Sequence, residues 1–198
     1  MLQRVAAVEI VAPKADFNGA RFPYTPARDG NKHRLGSNGP EIEAIHTPGH
    51  TPGSTCYRID GKYLISGDTV FIKSIGRPDL GGMAEAWSEM LFGTMADILL
   101  KLDNDTIILP GHYMDWKEAD DNLVFAATMG TIRKDNADIY TIADEKAFFE
   151  FIRANMRQQP EEYAKIREIN AGLVEVDEEE QEIMDIGKNE CAASTYHA

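Results

Sequence analysis

His46-Thr47-Pro48-Gly49-His50-Thr51-Pro52-Gly53-Ser54 follows directly on a short apolar run, Ile42 to Ile45. Two prolines and two glycines within nine residues stop both helix and strand, so a β-run ends here in a tight loop. Two further runs end the same way. Tyr63 to Ile65 leads into Ser66-Gly67-Asp68, and Ile107 to Leu109 leads into Pro110-Gly111-His112. Each time a glycine directly precedes a histidine or an aspartate. Glycine lets the backbone turn sharply or approach closely, so the next side chain can point into a shared cleft. Two imidazoles and a carboxylate suit Zn²⁺, Fe²⁺ or Mn²⁺, and the two oxygens of Asp68 can bridge two ions. For one Gly-His pair, a loop histidine without a ligand role is the better reading; three such pairs weigh against it.

Outward from these strand ends the chain reads as α/β. Cys56 to Ile59 and Lys62 to Ile65 flank Asp60-Gly61, which predicts a hairpin with a type I′ turn. Residues 68–83 form a Gly-rich loop. Trp87, Met90, Leu91, Met95, Ile98, Leu99 and Leu102 share one face of a helix expected over Ala84 to Leu102. A strand is expected from Thr106 to Leu109. Helices are expected over Asp121 to Arg133, Glu145 to Met156 and Glu161 to Asn170, with Pro160 near the start of the last. The acidic run Glu175 to Glu182 reads as a short helix or a solvated face. Before Ile42, Val5 to Val11 reads as a buried strand and Ala12 to Gly39 as a long irregular stretch. The natural division is a domain over residues 1–140 and a helical extension over 141–198 packing on it.

With 198 residues, the chain can bury one substantial core. Its formal net charge of −13 argues against nucleic acid or an anionic membrane as partner, because both favour basic patches. No run approaches a membrane span. Two cysteines far apart, Cys56 and Cys191, do not make a disulfide framework, which points to a reducing, cytoplasmic setting. Cys56 reads as a core residue and Cys191 as an ordinary tail thiol, with sulfur carriage or an intermolecular disulfide as its alternative.

The wording of the motifs carries a resemblance. The His46–Ser54 stretch, Ser66-Gly67-Asp68-Thr69-Val70-Phe71 and Leu109-Pro110-Gly111-His112, in this order, resemble the metallo-β-lactamase superfamily over roughly residues 5 to 175. This implies the C-terminal two-thirds of an αβ/βα sandwich with a helical C-terminal extension. Gly76-Arg77-Pro78-Asp79-Leu80, and the tail from Phe148 to Asn170 with Gly187 to Cys191, look more like the persulfide dioxygenase branch, which works at Fe(II). The alternative branch is the glyoxalase II-type thioesterases, metallo-hydrolases for which Zn(II) is the alternative metal. The resemblance implies that His50 and Asp68 serve one metal position, and that Asp68 and His112 serve a second or line the cleft. It makes Arg77 a candidate anchor for a thiol or persulfide substrate, beside a structural salt bridge. Tyr113 would shape the pocket or simply pack, and His46 would support rather than ligate.

The superfamily's His-x-His-x-Asp-His loop does not occur among His33, His46, His50, His112 and His197. Val8 to Pro13 resembles the strand that follows that loop, so the chain is expected to begin inside the domain. Three consequences are expected. The metal centre lacks half its ligands and activity is impaired; the chain pairs with itself or with a partner that supplies the missing part; or it is a non-catalytic remnant.

Overall fold

The computed structural model describes residues 9–156 and 163–185. Six strands form one sheet in chain order: β3 (Lys32–Arg34), β4 (Glu41–His46), β5 (Thr55–Ile59), β6 (Tyr63–Gly67), β7 (Ile107–Pro110) and β8 (Ala127–Thr128). All neighbours are antiparallel except β6 and β7, which run parallel and are joined through α2 (Ala84–Asp97). A parallel pair needs such a crossover. A separate parallel pair, β1 (Val11–Pro13) and β2 (Thr25–Ala27), flanks the short helix α1 (Lys14–Phe17). The β5–β6 hairpin turns through Asp60 and Gly61 at φ 47° and 70°, as a type I′ turn requires.

One face of the sheet carries the core. Cys56, Leu64 and Ile108 pack against Leu91 and Met95 of α2, and against α3 (Met129–Asp135), α4 (Ala137–Tyr140) and α5 (Glu145–Asn155) through Ile132, Ile139 and Phe148. Trp87, Leu91 and Met95 recur every four residues, which places all three on the buried face. The helix ends at Asp97, and Leu99–Lys101 continues it as a 3₁₀ turn.

The opposite face is also apolar. The register brings Ile42, Ile59, Tyr63 and Ile107 into one row across the sheet, and Ala44, Tyr57, Ile65 and Leu109 into the next. Tyr63 and Ile65 remain 37% and 41% exposed. A sheet apolar on both faces has the pattern of an inner layer.

Two expectations need correction. The helix expected over Asp121 to Arg133 does not begin until Met129. The Asp120 carboxylate accepts the backbone N–H groups of Asn122 and Val124, an Asx-type turn that competes with helix. Ala127–Thr128 then joins the sheet edge, and the Thr128 hydroxyl caps the helix at Thr131 N. The stretch Ala12 to Gly39 is more ordered than its composition suggests. Gly30 N donates to Ala44 O, and Ala44 N to Asn31 O, so β4 supplies an ordering partner from a distance. Of the strand expected over Val5 to Val11, residues 5–8 lie outside the described residues, as do Pro160, the stretch Gly187 to Cys191, and His197. α6 (Tyr163–Asn170) and α7 (Glu178–Asp185) follow, the latter on the acidic run. No helix among the described residues is long and apolar enough to cross a membrane.

Candidate metal centre

His50 sits just beyond β4, 5% exposed. Its Nδ1–H donates to the Arg77 carbonyl at 2.8 Å. A carbonyl oxygen can only accept, so the proton is on Nδ1 and the lone pair is on Nε2. Burial lowers the imidazole's proton affinity more than the nearby Asp68 carboxylate raises it, which favours the neutral ring. Nε2 lies 3.6 Å from Asp68 Oδ2. A neutral imidazole fixed through its other nitrogen by a carbonyl is the form that ligates metals.

The loop carrying His50 is pinned on several sides. Thr47 N donates to Ser54 O. The Asp16 carboxylate of α1 accepts Thr51 Oγ1–H at 2.5 Å and Gly53 N–H at 2.9 Å. Thr94 Oγ1 of α2 donates to Pro48 O. His46 turns away from the centre and donates Nε2–H to Pro52 O, a supporting contact. His33 lies in exposed β3, and Cys56 is a free thiol buried in the core.

Asp68 follows β6, and two glycines allow its surroundings to close in. A Cβ on Gly111 would stand 3.0 Å from Asp68 Oδ1; one on Gly76 would stand 1.9 Å from the Asp68 carbonyl. His112, beyond β7, meets Asp68 Oδ1 through Nδ1 at 2.5 Å. Its side chain is 30% exposed and its ring leans on Phe71. The three residues singled out from sequence therefore meet around one carboxylate. Tyr113, next in chain, is 42% exposed and stacks on Phe125 at 3.9 Å.

Arg77 is 0% exposed. Its Nε and Nη2 donate to the two Asp79 oxygens, both at 2.6 Å, a bidentate pair on either side of Pro78. The guanidinium thus has the geometry of the structural salt bridge and no solvent-facing surface for substrate. What Arg77 gives the centre directly is its carbonyl, held by this anchor against His50.

A cleft of about 300 Å³ opens over the centre. One wall holds His50, Ser66 and Asp68; the other is α6, through Tyr163, Ile166, Arg167 and Asn170. Tyr163 packs with Phe71 and Leu80, and Arg21 N donates to Ala171 O, which seats that wall. Sequence reasoning missed this wall. Nothing local ties α6 to a strand end almost 100 residues earlier. It gave Arg77 a structural salt bridge as its alternative role but did not name Asp79 as the partner, for which the spacing around Pro78 was the available signal.

The donor chemistry, one neutral imidazole nitrogen facing one carboxylate oxygen, fits a divalent transition metal. Among the described residues, no three histidine, cysteine or acidic side chains stand in an arrangement that would hold an ion. His50 Nε2 and Asp68 form the donor pair, with His112 reaching it through a hydrogen bond.

Comparison with known proteins accords with this arrangement. A hydroxyacylglutathione hydrolase of Polaromonas is 33% identical over 140 residues, covering 65% of this chain and 51% of that protein. An uncharacterised protein of Mycobacterium leprae is 42% identical over 87 residues, covering 43% of this chain and 38% of its own. The chain thus spans about half or less of the length of these relatives. Among solved structures, a metallo-beta-lactamase from Staphylococcus aureus superposes with a TM-score of 0.72 at 23% identity, covering 86% of this chain and 52% of that one. ETHE1 from Myxococcus xanthus gives 0.69 at 21% identity, covering 87% and 70%. At those identities the likeness is one of fold. Residues 6–112, which include His50, Asp68 and His112, match the model of the metallo-beta-lactamase superfamily, and the chain belongs to that superfamily.

Proposed function

We propose that this chain carries one face of a metal centre that acts on a low-molecular-weight thiol derivative, with oxidation of a glutathione-type persulfide at Fe(II) as the reaction. The observation that carries the metal reading is the His50 ring, locked through Nδ1 to the Arg77 carbonyl with Nε2 facing Asp68. His50 Nε2 and Asp68 would hold the ion. When bound, iron would supply the site where sulfur and O₂ are brought side by side. His112 keeps the Asp68 carboxylate oriented and holds a proton beside it. Buried Arg77 and Asp79 keep the His50 ring in place without touching substrate. The Gly76–Leu80 stretch favours the dioxygenase reading.

Thioester hydrolysis, with Zn(II) as metal, is the second reading, favoured by the likeness to the Polaromonas hydroxyacylglutathione hydrolase. The test uses the full chain loaded anaerobically with Fe(II) or with Zn(II). O₂ uptake with glutathione persulfide supports the first reading, and thiol release from a hydroxyacyl-glutathione thioester supports the second. Neither rate rising above that of the metal-free chain would overturn both and leave the chain as a non-catalytic subunit.

The apolar outer face of the sheet supports a further element of this reading. Two rows of Ile, Leu and Tyr, with Ile65 41% exposed, suit cover by a second copy or by a partner that completes the ligand set. A stable monomer at micromolar concentration in analytical ultracentrifugation, with full activity, would contradict it. A reducing cytoplasm suits a chain whose buried Cys56 is a free thiol.

A further inference from the structure

Three buried polar side chains take no part in the proposed chemistry. Thr47 lies in the loop that carries His50, Thr69 directly follows Asp68, and Cys56 belongs to β5. All three are fully buried. Thr47 Oγ1 stands 3.2 Å from Thr69 Oγ1 and 3.3 Å from Cys56 Sγ. Cys56 Sγ donates to the Ser66 carbonyl at 3.6 Å, and Thr69 N donates to the same carbonyl at 3.0 Å. These contacts close a ring that joins three segments of the chain.

One fixed end sets the direction of the ring. Burial raises the pKa of the Cys56 thiol, so it keeps its proton, and the Ser66 carbonyl can only accept it. Sγ is then left to accept from Thr47, and Thr47 Oγ1 to accept from Thr69. A buried hydroxyl without a partner gives up its water and gains nothing, so this order is costly to break. Valine has nearly the shape of threonine without that liability, and packing alone does not call for hydroxyls at 47 and 69. The placement of the ring supplies the other reason. Thr47 N donates to Ser54 O and closes the His50 loop at its base. Thr69 O accepts Gly76 N–H at 3.2 Å, and the next residue, Arg77, presents the carbonyl that holds His50 Nδ1. Thr69 is thus joined to His50 from two sides.

We propose that Thr47 and Thr69 are positioning residues, whose hydroxyl pair braces the His50 loop against the Asp68 turn and so sets the separation of His50 Nε2 from the Asp68 carboxylate. Cys56, sealed in the core, gives the pair its direction. This rests on the metal reading above and adds to it the groups that hold the two donors in register.

A double-mutant cycle separates a brace from simple packing. Zn(II) is titrated into the full chain by calorimetry, with wild type, T47V, T69V, T47V/T69V and T47S. Expected is an affinity about tenfold lower in T47V and in T69V. The double variant should bind no more weakly than either single one, because the bond is already gone, and T47S should recover the affinity because it keeps the hydroxyl. Wild-type affinity in both valine variants overturns the inference, as do additive losses or a T47S as weak as T47V. Where a valine variant does not unfold cooperatively in urea, alanine at the same position takes its place with the same expectations. A metal-free readout separates the two proposals. Exchange of the His50 Nδ1 proton with solvent, followed by NMR, should be faster in T47V and T69V than in wild type and T47S. Faster exchange in a chain that binds no Zn(II) leaves the brace standing and removes the metal reading. Zn(II) held by wild type and lost in H50A, with affinity and exchange unchanged in the valine variants, does the reverse.

Discussion

The His50 and His112 strand ends share a local grammar, Pro-Gly-His, yet the fold treats them differently. His50 is 5% exposed, and its ring is fixed by a backbone carbonyl that a buried ion pair holds in place. His112 has a 30% exposed side chain, and its hydrogen-bond partner is the Asp68 carboxylate itself. The first is a ring that the interior holds rigid. The second is a position at the rim whose orientation depends on the group it serves. Identical motifs therefore do not make equivalent positions; the residues behind them decide which ring is rigid.

If this contrast is right, the largest effect comes from breaking the support behind His50. Asp79→Ala leaves the Arg77 guanidinium buried without its carboxylate, and should cost about 3–5 kcal/mol of stability in urea unfolding. A loss under about 1 kcal/mol would show that the pair is not the anchor. Gly76→Ala drives a methyl into the Asp68 carbonyl and against His50 Cβ. It should cost about 1–3 kcal/mol by the same measurement. Asp16→Ala removes two hydrogen bonds from the turn after His50 and leaves Thr51 and Gly53 to water. Because the site is half-buried, about 1–2 kcal/mol is expected.

A pH series sharpens the contrast further. Burial holds the His50 pKa below its ordinary 6.5, so between that lowered value and 6.5 the unfolded chain binds the proton that the folded chain refuses. Stability of the metal-free chain should therefore rise with pH up to about 6.5 and level off above it, by at most about 1.4 kcal/mol per pH unit. His50→Gln should flatten that part of the profile relative to wild type. The smallest effect concerns Cys56. Burial raises its thiol pKa, so in a Cys191→Ser background alkylation at pH 8 should proceed only on unfolding. Fast labelling of the folded chain would mean that the core face is open.

Much of this was legible in the sequence because it is local. Glycine before each site residue, Asp60-Gly61 in a hairpin and the four-residue repeat of Trp87, Leu91 and Met95 are short-range signals. So the strand ends, the turn and α2 could be read without coordinates. Where the reading ran out, the cause lay at long range. Backbone hydrogen bonds of Gly30 and Asn31 with Ala44 of β4 order a stretch whose own composition reads as irregular; the Asx turn at Asp120 is the exception, a local contact that displaces the expected helix. At the site the cause is again at long range. His50, Asp68 and His112 could be named from their motifs, but their inequality could not, because it depends on the carbonyl of a residue 27 positions away.

The central claim is that His50 is the fixed ligand of the proposed centre. Titration of Fe(II) and Zn(II) into the apo chain by anaerobic calorimetry, for wild type, H50A and H112A, tests it most directly. The account predicts measurable binding by wild type, a loss of at least about a hundredfold in H50A, and a smaller loss in H112A. Wild-type affinity in H50A, or no binding by the wild-type chain at all, would contradict it.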